Sequence, residues 1–234
     1  MRLLRATLLL SAASALAVVA LTASVSTAAL RAPQIPLCPG SLQSYLSGVP
    51  QTINVLTDQL NAQVWTTGTS GNADFTLMVR FGGSGAANNI GVYNAGAPAP
   101  LFQVFPGAAG PGWFATLHFG GGNLIVTLFD QNSVFLGQTF YAGVNANHFG
   151  FYLQGPGGLF FSQDFMNPGG MAQVLAYAGT GVDNGESWVC FEDLPYQFPN
   201  CLTDFFDAVL LVESVVPVPA RTQTWGQLKA LYGH

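Results

Sequence analysis

From Val64 onward the chain is cut into ten short runs of β-branched, aromatic and aliphatic residues, each bounded by Gly, Pro or Asn. They span residues 75–81, 90–93, 101–105, 113–119, 124–129, 134–140, 149–153, 173–177, 187–191 and 208–216. Short runs with turn residues between them are the pattern of antiparallel strands. The spacing predicts an all-β fold, a single jelly-roll-like β-sandwich. Phe75-Thr76-Leu77-Met78-Val79-Arg80-Phe81 alternates with apolar residues at every odd position, as a strand with one face in a core requires. Other runs are apolar on both faces, which suits strands central to two packed sheets or edges left unguarded.

Ahead of these runs, Leu42, Leu46, Val49, Ile53, Leu56 and Leu60 recur every three to four residues, with Ser41 placed to cap and Pro50 to interrupt. This predicts a short helical segment near the mature N-terminus. Pro33, Pro36 and Pro39 make 29–40 an extended leader expected to pack little. Arg2 and Arg5 precede an apolar run over 7–22, and Ser26-Thr27-Ala28 offers a small-residue exit, so residues 1–28 read as a signal peptide. A membrane anchor is the alternative, but the run is shorter than the ~20 residues a span needs. Residues 41–216 then form one domain, and 217–234 a Pro-containing linker with a short C-terminal segment. In that segment Thr224 can cap a helix carrying Trp225, Leu228 and Leu231, too short and polar to anchor in a membrane.

Half the residues are hydrophobic and 7% are charged, which excludes a disordered tail. Six Lys and Arg against eleven Asp and Glu give a net charge of −5 and no basic stripe for a phosphate backbone, so nucleic acid is excluded as a partner. Nothing carries the signature of an enzyme. The nearest approach to a nucleophile elbow, Gly82-Gly83-Ser84-Gly85-Ala86, lacks the final Gly and a following helical pattern. His118 and His148, the internal histidines, have no motif around them and do not supply a zinc site. A hydrolase would need one of them in a cleft beside Ser or Asp.

Export places the three cysteines where disulfides persist. Cys190 and Cys201 flank an acidic segment and are close in sequence, which predicts a Cys190–Cys201 bridge with Cys38 as the odd thiol; a bridge from Cys38 to either is the alternative. Seven of the eleven acidic residues fall between 183 and 213: Asp183, Glu186, Glu192, Asp193, Asp204, Asp207 and Glu213. Carboxylates crowded by a folded loop repel unless solvated or neutralised, and outside the cell the hard cation that takes several oxygen ligands is Ca²⁺. Asp204 and Asp207 point to opposite faces of a continuous strand, so both face one ion only if 204–206 forms a turn or bulge. The alternative is carboxylates that solvate a loop or guard an edge.

One pattern occurs twice, as Ala87-Asn88-Asn89-Ile90-Gly91-Val92-Tyr93 and Ala146-Asn147-His148-Phe149-Gly150-Phe151-Tyr152. It predicts turn-then-strand units at related places in the two sheets, with Gly allowing another backbone to approach closely. Trp65, Trp113, Trp188, Tyr93 and Tyr152 are the candidate aromatics for stacking on a sugar, provided two or more share an exposed face.

Phe191-Glu192-Asp193-Leu194-Pro195 followed by Asp204-Phe205-Phe206-Asp207-Ala208-Val209-Leu210 resembles the acidic ending of the domain of unknown function DUF4114. Asn88–Tyr93, His148–Leu153, Phe161-Ser162, Asn167-Pro168-Gly169 and Val174–Tyr177 occur upstream in the order of its exported bacterial members, so the resemblance covers residues 41–216. It implies a secreted or cell-surface, non-enzymatic β-sandwich module with a structural or adhesive role and Ca²⁺ at the acidic motif. The implied ligands are Glu192, Asp193, Asp204 and Asp207. Leu202 and Phe206 stand where the family often has Asp and Asn, which removes two oxygen donors. The alternative function is an extracellular carbohydrate-binding module, the partner being a glycan or surface matrix.

Overall fold

The computed structural model describes residues 29–80, 88–196 and 203–219. The expected signal peptide, the Ser84 segment, Cys201, Leu202 and the C-terminal segment after Pro219 lie outside them.

The described chain is an all-β sandwich of two antiparallel sheets with one short helix. In order along the chain come α1 (Gly40–Gly48), β1 (Ala62–Thr66), β2 (Asn72–Arg80), β3 (Asn89–Asn94), β4 (Leu101–Phe105), β5 (Phe114–Gly120), β6 (Asn123–Phe129) and β7 (Phe135–Ala142). They are followed by β8 (Phe149–Gly155), β9 (Gly158–Phe161), β10 (Val174–Ala178), β11 (Ser187–Phe191), β12 (Ala208–Glu213) and β13 (Val216–Pro219). One sheet runs β13-β1-β8-β3-β4 with β9 paired to β8; the other runs β10-β11-β12-β2-β5-β6-β7. Each of the ten expected runs contains a strand. The strands β1, β9 and β13 were not expected, being short and, in β13, written Val-Pro-Val-Pro, which only an edge accepts.

The core between the sheets is aromatic: Trp65 meets Phe151 edge-on at 4.7 Å, and Phe119 stacks on Phe149 at 5.3 Å. A second cluster lies outside the seven-stranded sheet, where Leu42 and Leu46 of α1 cover Leu175, Tyr177, Trp188, Cys190 and Val209. That cover explains the strands that are apolar on both faces. In β11, Val189 and Phe191 enter the sandwich core while Trp188 and Cys190 face the helix. The alternation in β2 is broken: the register with β12 shifts between Val209 and Leu210, so Leu77 packs between the sheets and Val79 turns to the helix side.

The leader is tied down rather than loosely packed. Leu37 is buried, Leu30 bridges to Leu60, Arg31 pairs with Asp164, and the Gln59 amide exchanges hydrogen bonds with both backbone groups of Ile35. Ser41 is not the helix cap, since α1 begins a residue earlier with Pro39 at the N-cap position. The expected Cys190–Cys201 bridge is corrected at its first member. Cys190 is a free, fully buried thiol between α1 and the sheet, and Cys38 is the disulfide-bonded cysteine, its partner lying outside the described residues. Proximity in sequence misled because β11 aims Cys190 into the helix-side core.

The repeated pattern does not sit in two sheets. Both copies lie in one sheet as the paired strands β3 and β8, with Gly91 opposite Tyr152 and Tyr93 opposite Gly150. Each tyrosine ring lies over the other copy's glycine, where a Cβ would collide with it. Both rings are buried, packed with Phe161.

Candidate functional site

The β11–β12 register pairs Ser187 with Val212 and Phe191 with Ala208. Continued one residue beyond each end, it sets Glu192 opposite Asp207 and Glu186 opposite Glu213. The acidic crowd of the sequence is therefore split between two ends of the sandwich. At one end, burial raises the Glu186 carboxyl, with Glu213 and Asp183 adding to it. At the other, Glu192, Asp193 and Asp207 bring one carboxylate oxygen each within 4.8 Å of one another.

The three carboxylates tie several segments together. Glu192 Oε2 accepts from the Asp204 and Phe205 N–H groups at 3.1 and 3.4 Å, and Oε1 from the Leu194 N–H at 3.4 Å. Asp207 Oδ2 accepts from the Asp193 N–H at 2.8 Å. Asp193 Oδ2 accepts from the Asn88 side-chain amide at 2.9 Å, which reaches across from the start of β3 in the opposite sheet. Gln173, buried before β10, donates to the Leu194 carbonyl and accepts from the Tyr196 N–H, fixing the loop after β11. Gly157, in the β8–β9 turn, lies so close that a Cβ there would overlap the Asp193 carbonyl oxygen.

Residues 204–206 do form a turn. Phe205 sits at φ +54°, and the Asp204 carboxylate accepts from the Phe206 N–H at 3.0 Å. That bond turns Asp204 out of the cluster and onto a shallow cavity shared with Ser41, Phe206 and Asp207. Of the four residues read from the sequence, the fold brings three together and places the fourth beside them. Asn88 and Gln173 were not singled out as site residues; nothing near them in the sequence marks either as a partner of the acidic motif.

Glu192 is 2% exposed and Asp193 7%, and no Lys, Arg or His among the described residues pairs with any of the three. Burial pushes the Glu192 carboxyl up to about 8, with the Asp207 charge adding to it and N–H donors opposing. Burial likewise pushes Asp207 up to about 7, against the donated Asp193 N–H. Glu192 and Asp207, raised together in this way, favour a proton or a cation between them. The cluster's donors are all hard oxygens, and their separation suits an ion whose ligand oxygens lie ~2.3–2.6 Å away.

The other candidates fall elsewhere. His118 is exposed on the outer face of β5 with Nδ1 2.7 Å from Asn72 Oδ1, and His148 is exposed before β8; neither is hydrogen-bonded to a serine or carboxylate among the described residues. Trp65, Trp188, Tyr93 and Tyr152 are fully buried and Trp113 is half-buried against the core, so the five form no exposed aromatic face. No helix among the described residues is long and apolar enough to cross a membrane.

No protein-family model and no curated protein matches the chain. Among solved structures, the Chromobacterium violaceum lectin CV2L in complex with alpha-methyl-fucoside is similar over 67% of this chain and 97% of that one, at 12% identity and a TM-score of 0.32. A likeness at that level assigns no ligand to this chain.

Proposed function

We propose that the chain is an exported, non-enzymatic β-sandwich module with a structural or adhesive role at the cell surface, whose Glu192–Asp193–Asp207 cluster binds one Ca²⁺. The observation that carries this reading is three convergent carboxylates, two of them buried, with no basic side chain among the described residues paired to them. The resemblance of the acidic motif to DUF4114 supports it independently. Bound there, the ion would hold the β11 and β12 ends together and, through the Asp193–Asn88 bond, tie them to the opposite sheet. Its role is to stabilise the module; no bond is made or broken.

A ligand bound only by the folded state raises its stability. Ca²⁺ at about a hundredfold its Kd is expected to raise the Tm of the exported chain by roughly 5–10 °C over EDTA. Mg²⁺ should do less, because it demands near-octahedral geometry and gives up water reluctantly. Asp207→Asn should remove the response. An unchanged Tm at millimolar Ca²⁺ would overturn the ion site.

The carbohydrate-binding alternative loses its aromatic platform with the burial of Trp65, Trp188, Tyr93 and Tyr152. One observation still favours it, a cleft of neutral hydrogen-bonding groups far from the acidic cluster.

A further inference from the structure

At the end of the sandwich opposite the acidic cluster, the β1–β2, β5–β6 and β7–β8 connections surround an open cleft of about 450 Å³. We infer that this cleft binds a neutral polyhydroxylated ligand, a saccharide, held by Thr67, Thr69, Asn123, Asn145 and Asn147. The inference deepens the carbohydrate alternative above and is independent of the Ca²⁺ site.

The volume falls within the range of small-molecule sites, and no ionisable side chain among the described residues lines it. Its groups are therefore chosen for hydrogen bonding rather than for charge. The backbone of the walls is already engaged. Val144 donates to the Gly122 carbonyl at 2.9 Å, Thr67 to the Ala146 carbonyl at 3.0 Å, and Asn145 to the Asn94 side-chain oxygen at 2.8 Å. These bonds join all three connections, so a ligand would meet a preformed site and little ordering would oppose binding.

The Asn123 amide also donates to the Gly121 carbonyl and the Asn145 side-chain oxygen accepts from the Asn147 N–H; the remaining side-chain amide and hydroxyl groups both donate and accept, as sugar hydroxyls do. One of them is an anomaly without a ligand. Thr67 is 4% exposed, and its Oγ1 is buried with no hydrogen-bond partner. Buried hydroxyls in folded proteins nearly always have a partner; Thr67 lines the cleft, and rotation of its side chain on binding would bring Oγ1 to a ligand hydroxyl. Gly122 and Gly143, both at φ +78° with open space where a side chain would stand, keep the mouth clear.

The test is an amide-resolved NMR titration of the isotope-labelled exported chain with the methyl glycosides of glucose, galactose, mannose, fucose and N-acetylglucosamine, with sodium sulfate as a charged control. At least one glycoside, and not sulfate, should shift the amides of 67–71, 119–123 and 143–147 saturably. Thr67→Val should weaken that binding about tenfold or more, with the Tm unchanged or higher because an unpartnered buried hydroxyl is removed. Asn147→Ala, at an exposed position, should weaken it without unfolding the chain. Saturable shifts confined to another surface would overturn this site while leaving the carbohydrate reading standing. The absence of shifts with every glycoside would overturn both.

Discussion

Gly91→Ala is expected to destabilise the fold by about 3 kcal/mol or more, lowering the Tm by roughly 10 °C. A Cβ at Gly91 would overlap the Phe102 carbonyl oxygen on β4 and press on the Tyr152 ring from β8, so two neighbouring strands would have to move. For Gly150→Ala the nearest atoms a Cβ would meet all belong to the Tyr93 side chain, and the change should cost less, since a side chain yields more readily than a backbone carbonyl. Gly48→Ala is the control: it ends α1 with open space around it, and the change should be neutral or slightly stabilising. Thermal melts of the three variants check the order. Equal melting points for Gly91→Ala and the native chain would refute the close-approach reading of the repeated pattern.

The second large effect is in pH. Glu192 and Asp207 have carboxyls raised by burial above their ordinary values near 4.5 and 3.8. The folded state therefore prefers them protonated. The stability this gives is fully present below the unfolded values and is lost as pH rises through the folded ones, about 7 and 8. In EDTA the chain should lose stability between pH 5 and pH 8.5, on the order of 3 kcal/mol after allowance for the coupling between the two groups. Saturating Ca²⁺ should flatten this slope, because the ion takes over the neutralisation that protons provide at low pH. Glu192→Gln should both reduce the slope in EDTA and abolish the Ca²⁺-dependent rise in Tm. A native-like Ca²⁺ response in that variant would exclude Glu192 as a ligand.

Strand content was legible because the Gly, Pro and Asn breaks in this chain coincide with real turns, and each expected run holds a strand. The pairing was not. Nothing local reveals that Gly91 faces Tyr152 or that Glu192 faces Asp207; both follow from antiparallel registers that join segments distant in the chain. The same limit explains the cysteines. Closeness in sequence favoured Cys190, but the pleat of β11 turns its thiol toward α1, a helix contributed by residues some 150 positions earlier. The aromatics were left open for a related reason: composition counts Trp and Tyr, while burial depends on the sheets and helix that cover them. The acidic motif was read more closely because Glu192, Asp193 and Asp207 flank the ends of two adjacent strands. Even there, Asn88 and Gln173 arrive from other strands with no local signal.

A cation among the three carboxylates is tested most directly by a crystal structure of the protein grown in Ca²⁺ with anomalous data. It should show one anomalous peak between Glu192, Asp193 and Asp207, with carboxylate oxygens ~2.3–2.6 Å from its centre. Carboxyl groups there hydrogen-bonded directly to one another, with no peak between them at saturating Ca²⁺, would contradict it.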